Sequence, residues 1–97
     1  MIVVRNTFRV KFGRMKDALA LMKENLSRVP SSAARTRLLT DVTGDFYTLV
    51  LEMEYEDMAQ GERDAREAMR APGWGETYQK FAALVDSGRR EIFGVVQ

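Results

Sequence analysis

A single amide interrupts the first alternating run of the chain. Ile2, Val4, Phe8, Val10 and Phe12 take the even positions of Ile2–Phe12, and Asn6 sits among them. Side chains of an extended segment alternate between faces, so these six share one face. Val3, Arg5, Thr7, Arg9 and Lys11 take the other. An amide on an apolar face needs partners for its carbonyl oxygen and its two N–H groups. A neighbouring backbone group or an enclosed water can supply them. So can a ligand: the amide can hold a ligand oxygen, or orient a phenolate or peroxy intermediate. The sequence is compatible with both.

Trp74, Tyr78, Phe81 and Val85 follow at spacings of four, three and four, which places an aromatic seam on one helix face. Such a seam ordinarily packs into a core. Read functionally, it is one wall of a pocket, with the Tyr78 hydroxyl and the Trp74 N–H as polar handles. Asn6, Trp74, Tyr78 and Phe81 are therefore the candidate ligand-binding residues, and no catalytic residue is assigned. A third constellation is charged. Arg5 and Arg9 share the odd face of the first strand, and Glu52 and Glu54 end one face of a later strand. If those strands are neighbours, cross-strand ion pairs follow; at a solvated rim they would matter little. An anion site drawn from Arg5, Arg9, Arg37 or Arg90 is a weaker reading.

What is missing narrows the chemistry further. The 97 residues contain no histidine and no cysteine. A Ser-His-Asp relay, a Cys-His pair, a histidine-ligated metal and a disulfide are all excluded within the chain. No acidic spacing suggests a carboxylate metal site, and neither GxGxxG nor GKS/GKT is present, so no cofactor is expected. Fifteen basic residues against fourteen acidic ones give a net charge of +1 and a pI of about 8.1. That balance lacks the basic excess of a nucleic-acid binder. No signal-like start and no apolar run of membrane-spanning length is evident, so the expectation is a single domain over residues 1–97, soluble and cytoplasmic.

The elements that must position these residues read in a clear order. Ile2–Phe12 is extended and Arg14–Arg28 is amphipathic, with Met15, Ala18, Leu19, Met22 and Leu26 as its apolar stripe. Pro30 ends it and opens a loop over Val29–Ala33. Arg35–Thr43 and Phe46–Tyr55 form a hairpin around Thr43-Gly44-Asp45. The helical region Asp57–Ser87 starts on an Asp57 cap and breaks at Pro72-Gly73, with Met58, Ala65 and Met69 as a thin apolar side. Its charge-dense stretch Glu62–Arg70 reads as a solvated face with intrahelical ion pairs. Gly88 is placed to cap it before a last extended run, Arg89–Val96. The order β-α-β-β-α-β is the ferredoxin-like α+β arrangement, a four-stranded antiparallel sheet with helices on one face. One face of Phe46–Tyr55 carries Tyr47, Leu49, Leu51, Met53 and Tyr55, and the other Phe46, Thr48 and Val50 before Glu52 and Glu54. A strand apolar on both faces is normally covered on both. Helices cover only one, so a second copy is expected on the other.

Phe8-Arg9-Val10-Lys11-Phe12-Gly13, Glu52-Met53-Glu54-Tyr55, Pro72-Gly73-Trp74 and Arg90-Glu91-Ile92-Phe93 together resemble the dimeric α/β-barrel superfamily over nearly the whole chain. Within it, the texture is most similar to NIPSNAP-like and antibiotic-biosynthesis-monooxygenase-like small proteins. The resemblance implies a homodimer whose two sheets face each other as a barrel, with a pocket between sheet and helices in each subunit. It also implies a range of activities: some members are cofactor-independent oxygenases of aromatic polyketides, others degrade haem, and many have none known. Their pockets use a first-strand asparagine, which Asn6 matches, and a tryptophan from the second helical region, which Trp74 matches loosely. Haem degraders also need an axial histidine; Tyr78 stands near that place and no histidine exists. The expectation is a small-molecule-binding or cofactor-independent monooxygenase-like homodimer, taking a small aromatic ligand. The alternative is a non-enzymatic homodimeric module for assembly or partner binding.

Overall fold

The computed structural model describes residues 1–97. Its strands are β1 (Ile2–Val10), β2 (Arg35–Thr40), β3 (Thr48–Tyr55) and β4 (Val85–Gly94). Its helices are α1 (Met15–Arg28), α2 (Met58–Arg70) and α3 (Trp74–Ala82). The sheet runs β2-β3-β1-β4 with every neighbouring pair antiparallel. This is the ferredoxin-like fold with its second helical region divided in two. No helix is long and apolar enough to cross a membrane.

The alternation of β1 sets the layers. Val4, Asn6 and Val10 are buried beneath the helices. Phe12 does not join them: the strand stops at Val10, and Phe12 is 79% exposed, edge-on to Tyr47. The compact core sits at one end of the sheet, where Val10, Leu49 and Leu84 meet Ala18 of α1. Met15, Leu19, Phe8, Phe81 and Val85 pack around them. At the opposite end, Ile2, Leu51, Met53 and Ile92 face a cavity instead. Asn6 lies midway between the two ends.

Other boundaries also differ from those expected. The connection between β2 and β3 spans Asp41–Tyr47, longer than a tight turn, because the Asp41 carboxylate accepts the Thr48 N–H at 2.9 Å and so bridges the loop. The second helical region ends at Ala82, since the Leu84 N–H bonds back to Phe81 and the chain then turns into β4 at Val85. Val85, counted in the helical seam, is thus a strand residue that still packs on the core. Gly88 is not a helix cap. It lies within β4 opposite Phe8, whose ring covers it so closely that a Cβ there would stand 2.9 Å from Phe8 Cδ1. The break at Pro72-Gly73 is where α3 begins, with Gly73 in the left-handed region (φ 82°) as its N-cap.

Asp57 caps α2 as expected, accepting the Gln60 N–H at 2.9 Å. The charged face does not behave as expected. None of Glu62, Arg63, Asp64, Arg66, Glu67 and Arg70 forms an ion pair with another, and Asp64 is buried. Met58 and Met69, expected on the covered side of α2, are about half exposed. The reason is the docking of this helix. Gly61 brings it close against the Tyr55 ring, and the Tyr55 hydroxyl donates to Asp64 at 2.5 Å, which turns Asp64 toward the sheet.

Candidate functional site

The centre of the site is a pair of side chains made adjacent by register. Asn6 of β1 stands opposite Arg90 of β4, on the helix-covered face. Arg90 Nε donates to Asn6 Oδ1 at 2.8 Å. A guanidinium only donates, so this bond fixes which end of the amide is oxygen. The Asn6 oxygen is thus bonded by a side chain rather than by backbone. Its Nδ2 donors and the Arg90 Nη donors form no other side-chain hydrogen bond.

Two cavities adjoin this pair. One, of about 680 Å3, is aromatic: Phe8, Trp74, Tyr78 and Phe81 line it together with Asn6 and Arg90. Trp74 and Tyr78 stack with centroids 5.3 Å apart and planes inclined by 19°. Phe81 meets Phe8 edge-on at 4.9 Å and also packs on the core. All four residues singled out from the sequence therefore line one cavity. The other, of about 320 Å3, lies between the sheet and α2 and is mostly aliphatic, with Val4, Leu26, Val29, Leu51, Met53 and Ile92 among its lining. Asn6, Asn25 and Arg90 belong to both.

Where the aliphatic cavity meets α2, Tyr55, Ser31 and Asp64 are committed to one another. The Asp64 carboxylate accepts the Tyr55 hydroxyl, the Ser31 hydroxyl at 2.9 Å and the Ser32 N–H at 2.8 Å. Burial opposes its ionisation, but these hydrogen bonds prevail and hold its pKa below the usual carboxylate value. Burial and then Asp64 itself push the Tyr55 pKa upward, so this phenol stays protonated. Asp64 is thus an ionised, saturated acceptor and a poor general base.

The remaining arginines do not assemble an anion site with Arg90, because the sheet separates them. Arg5, Glu52 and Arg37 are consecutive register partners on the open face. Glu52 is buried between them, accepting Arg5 Nε at 2.9 Å and Arg37 Nη2 at 2.5 Å. The Arg37 bond, assisted by Arg5, lowers its pKa against the cost of burial. Arg5 also lies over the Phe93 ring, 5.1 Å from its centroid. Arg9 pairs with Asp45 at 3.1 Å, and Glu54 takes no part in an ion pair.

Two site residues escaped the sequence reading. Asn25 borders both cavities, and its Oδ1 is enclosed without a hydrogen-bond partner. The signal was its spacing, three residues after Met22 and seven after Ala18, on the buried stripe of α1. Asp64 falls among the small residues Gly61, Ala65 and Ala68, which mark the side of α2 that approaches the sheet.

Chemically, the junction offers guanidinium and amide donors beside a flat aromatic wall. It can bind a planar molecule and stabilise a carboxylate, phenolate or enolate oxygen. No group of three or more acidic, histidine or cysteine side chains is placed to hold a metal.

No family model matches the chain, and no curated protein does. Solved structures match across its whole length. A NIPSNAP domain protein from Burkholderia xenovorans, described as uncharacterized, has a TM-score of 0.86 at 17% identity, covering 99% of this chain and 95% of that one. A NIPSNAP family protein of unknown function from Agrobacterium tumefaciens gives 0.80 at 15% identity, covering 96% and 86%. A structure described as an antibiotic biosynthesis monooxygenase gives 0.75 at 17% identity, with both chains covered fully. The chain therefore shares the ferredoxin-like fold of NIPSNAP domain proteins and antibiotic biosynthesis monooxygenases.

Proposed function

We propose that the protein binds a small planar aromatic molecule carrying an acidic oxygen, and that it does so as a homodimer. The observation that carries this reading is the Asn6–Arg90 pair, with unused donors, at the edge of a cavity walled by Trp74, Tyr78, Phe8 and Phe81. The aromatic wall supplies area and the donors select the ionised oxygen. Cofactor-independent monooxygenation is the activity that suits such a site. Arg90 would stabilise the phenolate or enolate of a substrate that itself supplies the electrons for dioxygen. The likeness to a monooxygenase structure adds fold-level support and no residue-level support.

The dimer rests on the open sheet face. Only 11 of 97 residues are buried in the protomer, a small core for a chain of this length. Leu39 and Phe93 lie exposed on that face beside the Arg5–Glu52–Arg37 row. A second copy would cover both. The same face supports the second reading, a module whose role is assembly or partner binding.

The test uses the single tryptophan, which lies in the cavity wall. Titration with 2-hydroxy-1,4-naphthoquinone, whose hydroxyl is acidic, should quench Trp74 fluorescence saturably and raise the melting temperature. Unsaturable quenching without any thermal shift would exclude the binding reading and leave the module. Light scattering at micromolar protein should give twice the 11.1 kDa chain mass; a monomer mass would overturn the dimer.

A further inference from the structure

Resting on that binding reading, we infer that the ligand is bipartite: an acidic aromatic ring in the aromatic cavity, with an unbranched alkyl or acyl chain entering the aliphatic one beneath α2. Three observations point there. The two cavities share the Asn6–Arg90 boundary, so a molecule anchored at Arg90 by its acidic oxygen has the second cavity immediately beside it.

The second cavity is left unfilled by the helix that roofs it. Gly61 against the Tyr55 ring and the Tyr55–Asp64 bond fix how close α2 stands, and Ala65 and Ala68 are too short to occupy the space below.

Its polar lining offers a ligand little. Beneath α2, away from the Asn6–Asn25–Arg90 boundary, Asp64 is saturated by Tyr55, Ser31 and Ser32, so a charged or hydroxylated group reaching that end would lose water without gaining a partner. A hydrocarbon chain loses nothing there. At roughly 30 Å3 for each water-sized group, the space of about 320 Å3 takes a chain of up to about ten carbons.

The experiment is a chain-length series of 2-n-alkylbenzoates, from methyl to dodecyl, whose chain leaves the ring beside the anchored carboxylate, titrated against the full chain by Trp74 fluorescence and calorimetry. Each added methylene should tighten binding about fourfold, the equivalent of ~0.8 kcal/mol per buried CH2. The gain should stop at about eight to ten carbons, when the cavity is full. Ala68→Leu, which occupies part of the space, should bring the plateau two to three carbons earlier while leaving the methyl compound's affinity unchanged.

A flat series, in which methyl and octyl compounds bind equally, overturns the bipartite ligand while the ring site stands. A steep series indifferent to Ala68→Leu also overturns it, because the chain then lies elsewhere. Failure of every member to bind, methyl included, removes the ring site on which the inference rests.

Discussion

Asp64 is the residue whose replacement should be most informative about how the site is built. It is 8% exposed, and it is the acceptor for the hydroxyl of Tyr55, itself 2% exposed. Asp64→Asn keeps the volume and removes the charge. Ser31 and Ser32 lie at the surface and can return to water. The Tyr55 hydroxyl is enclosed and is left with a weaker, neutral acceptor. Hydrogen bonds to charged groups are worth about 1.5–3 kcal/mol, and stranding an enclosed donor costs about 1–3 kcal/mol. A loss of ~2–3 kcal/mol is expected, a large part of the 5–15 kcal/mol typical of small domains.

Urea denaturation of Asp64→Asn, Tyr55→Phe and the double variant measures it. The double variant should lose about 1 kcal/mol less than the sum of the singles, because both act on one bond. The pH dependence follows from the lowered pKa. The unfolded state binds a proton to this carboxylate at a higher pH than the folded state does. The stabilisation is therefore complete above the ordinary carboxylate range near pH 4 and is lost as pH falls through the folded value. Asp64→Asn should flatten that acid limb in part, with Glu52 supplying the remainder. Additive single losses, or a change under ~0.5 kcal/mol in Asp64→Asn, would refute the reasoning.

Asn6→Leu should change stability by less than ~1 kcal/mol, since the freed Arg90 Nε belongs to an exposed side chain that water can solvate; binding of the acidic aromatic should weaken at least about tenfold, and a denaturation curve plus one titration checks both. Gly88→Ala should cost ~1–3 kcal/mol by pushing the Phe8 ring from its place, and urea denaturation showing no loss would mean the ring moves freely. Glu52→Gln leaves Arg5 and Arg37 without their carboxylate. Both are more than 40% exposed in the protomer, so the cost to the isolated fold should be modest. If a second copy covers them the cost appears in association, and sedimentation equilibrium should show a weaker dimer. An unchanged dimer constant would place the interface elsewhere.

The sheet was legible in the sequence because alternation is a local signal. Asn6 was recognisable as the odd member of an apolar face before any partner was known, and β1, β3 and α1 followed from period 2 or period 3.6 within themselves. What escaped depends on relations between elements. Arg90 was assigned with Arg5, Arg9 and Arg37 because no charge pattern tells which face a strand presents. Register with Asn6 decides that. Val85 fits a helical step from Phe81 and a strand position equally well, so the boundary at Ala82 was hidden. Asp64 looked like one charge in a solvated run. Only the approach of Gly61 to Tyr55 turns it inward. Asn25 was in principle visible, since its spacing from Ala18 and Met22 puts it on the buried stripe. The candidate residues Trp74, Tyr78 and Phe81 were found as a set, and ordinary core packing was the favoured reading. Of the three, Phe81 does join the core, while Tyr78 is 58% exposed in its stack with Trp74.

The central claim is that Arg90 and Asn6 hold the acidic oxygen of an aromatic ligand. The most direct measurement is the dissociation constant of 2-hydroxy-1,4-naphthoquinone for the unaltered chain, Arg90→Met, Asn6→Leu and the double variant, each shown to be folded by its denaturation curve. Arg90→Met should weaken binding at least tenfold, about 1.4 kcal/mol. The double variant should be little worse than Arg90→Met alone, since the two side chains act as one pair. Equal affinity in all four proteins would contradict the claim.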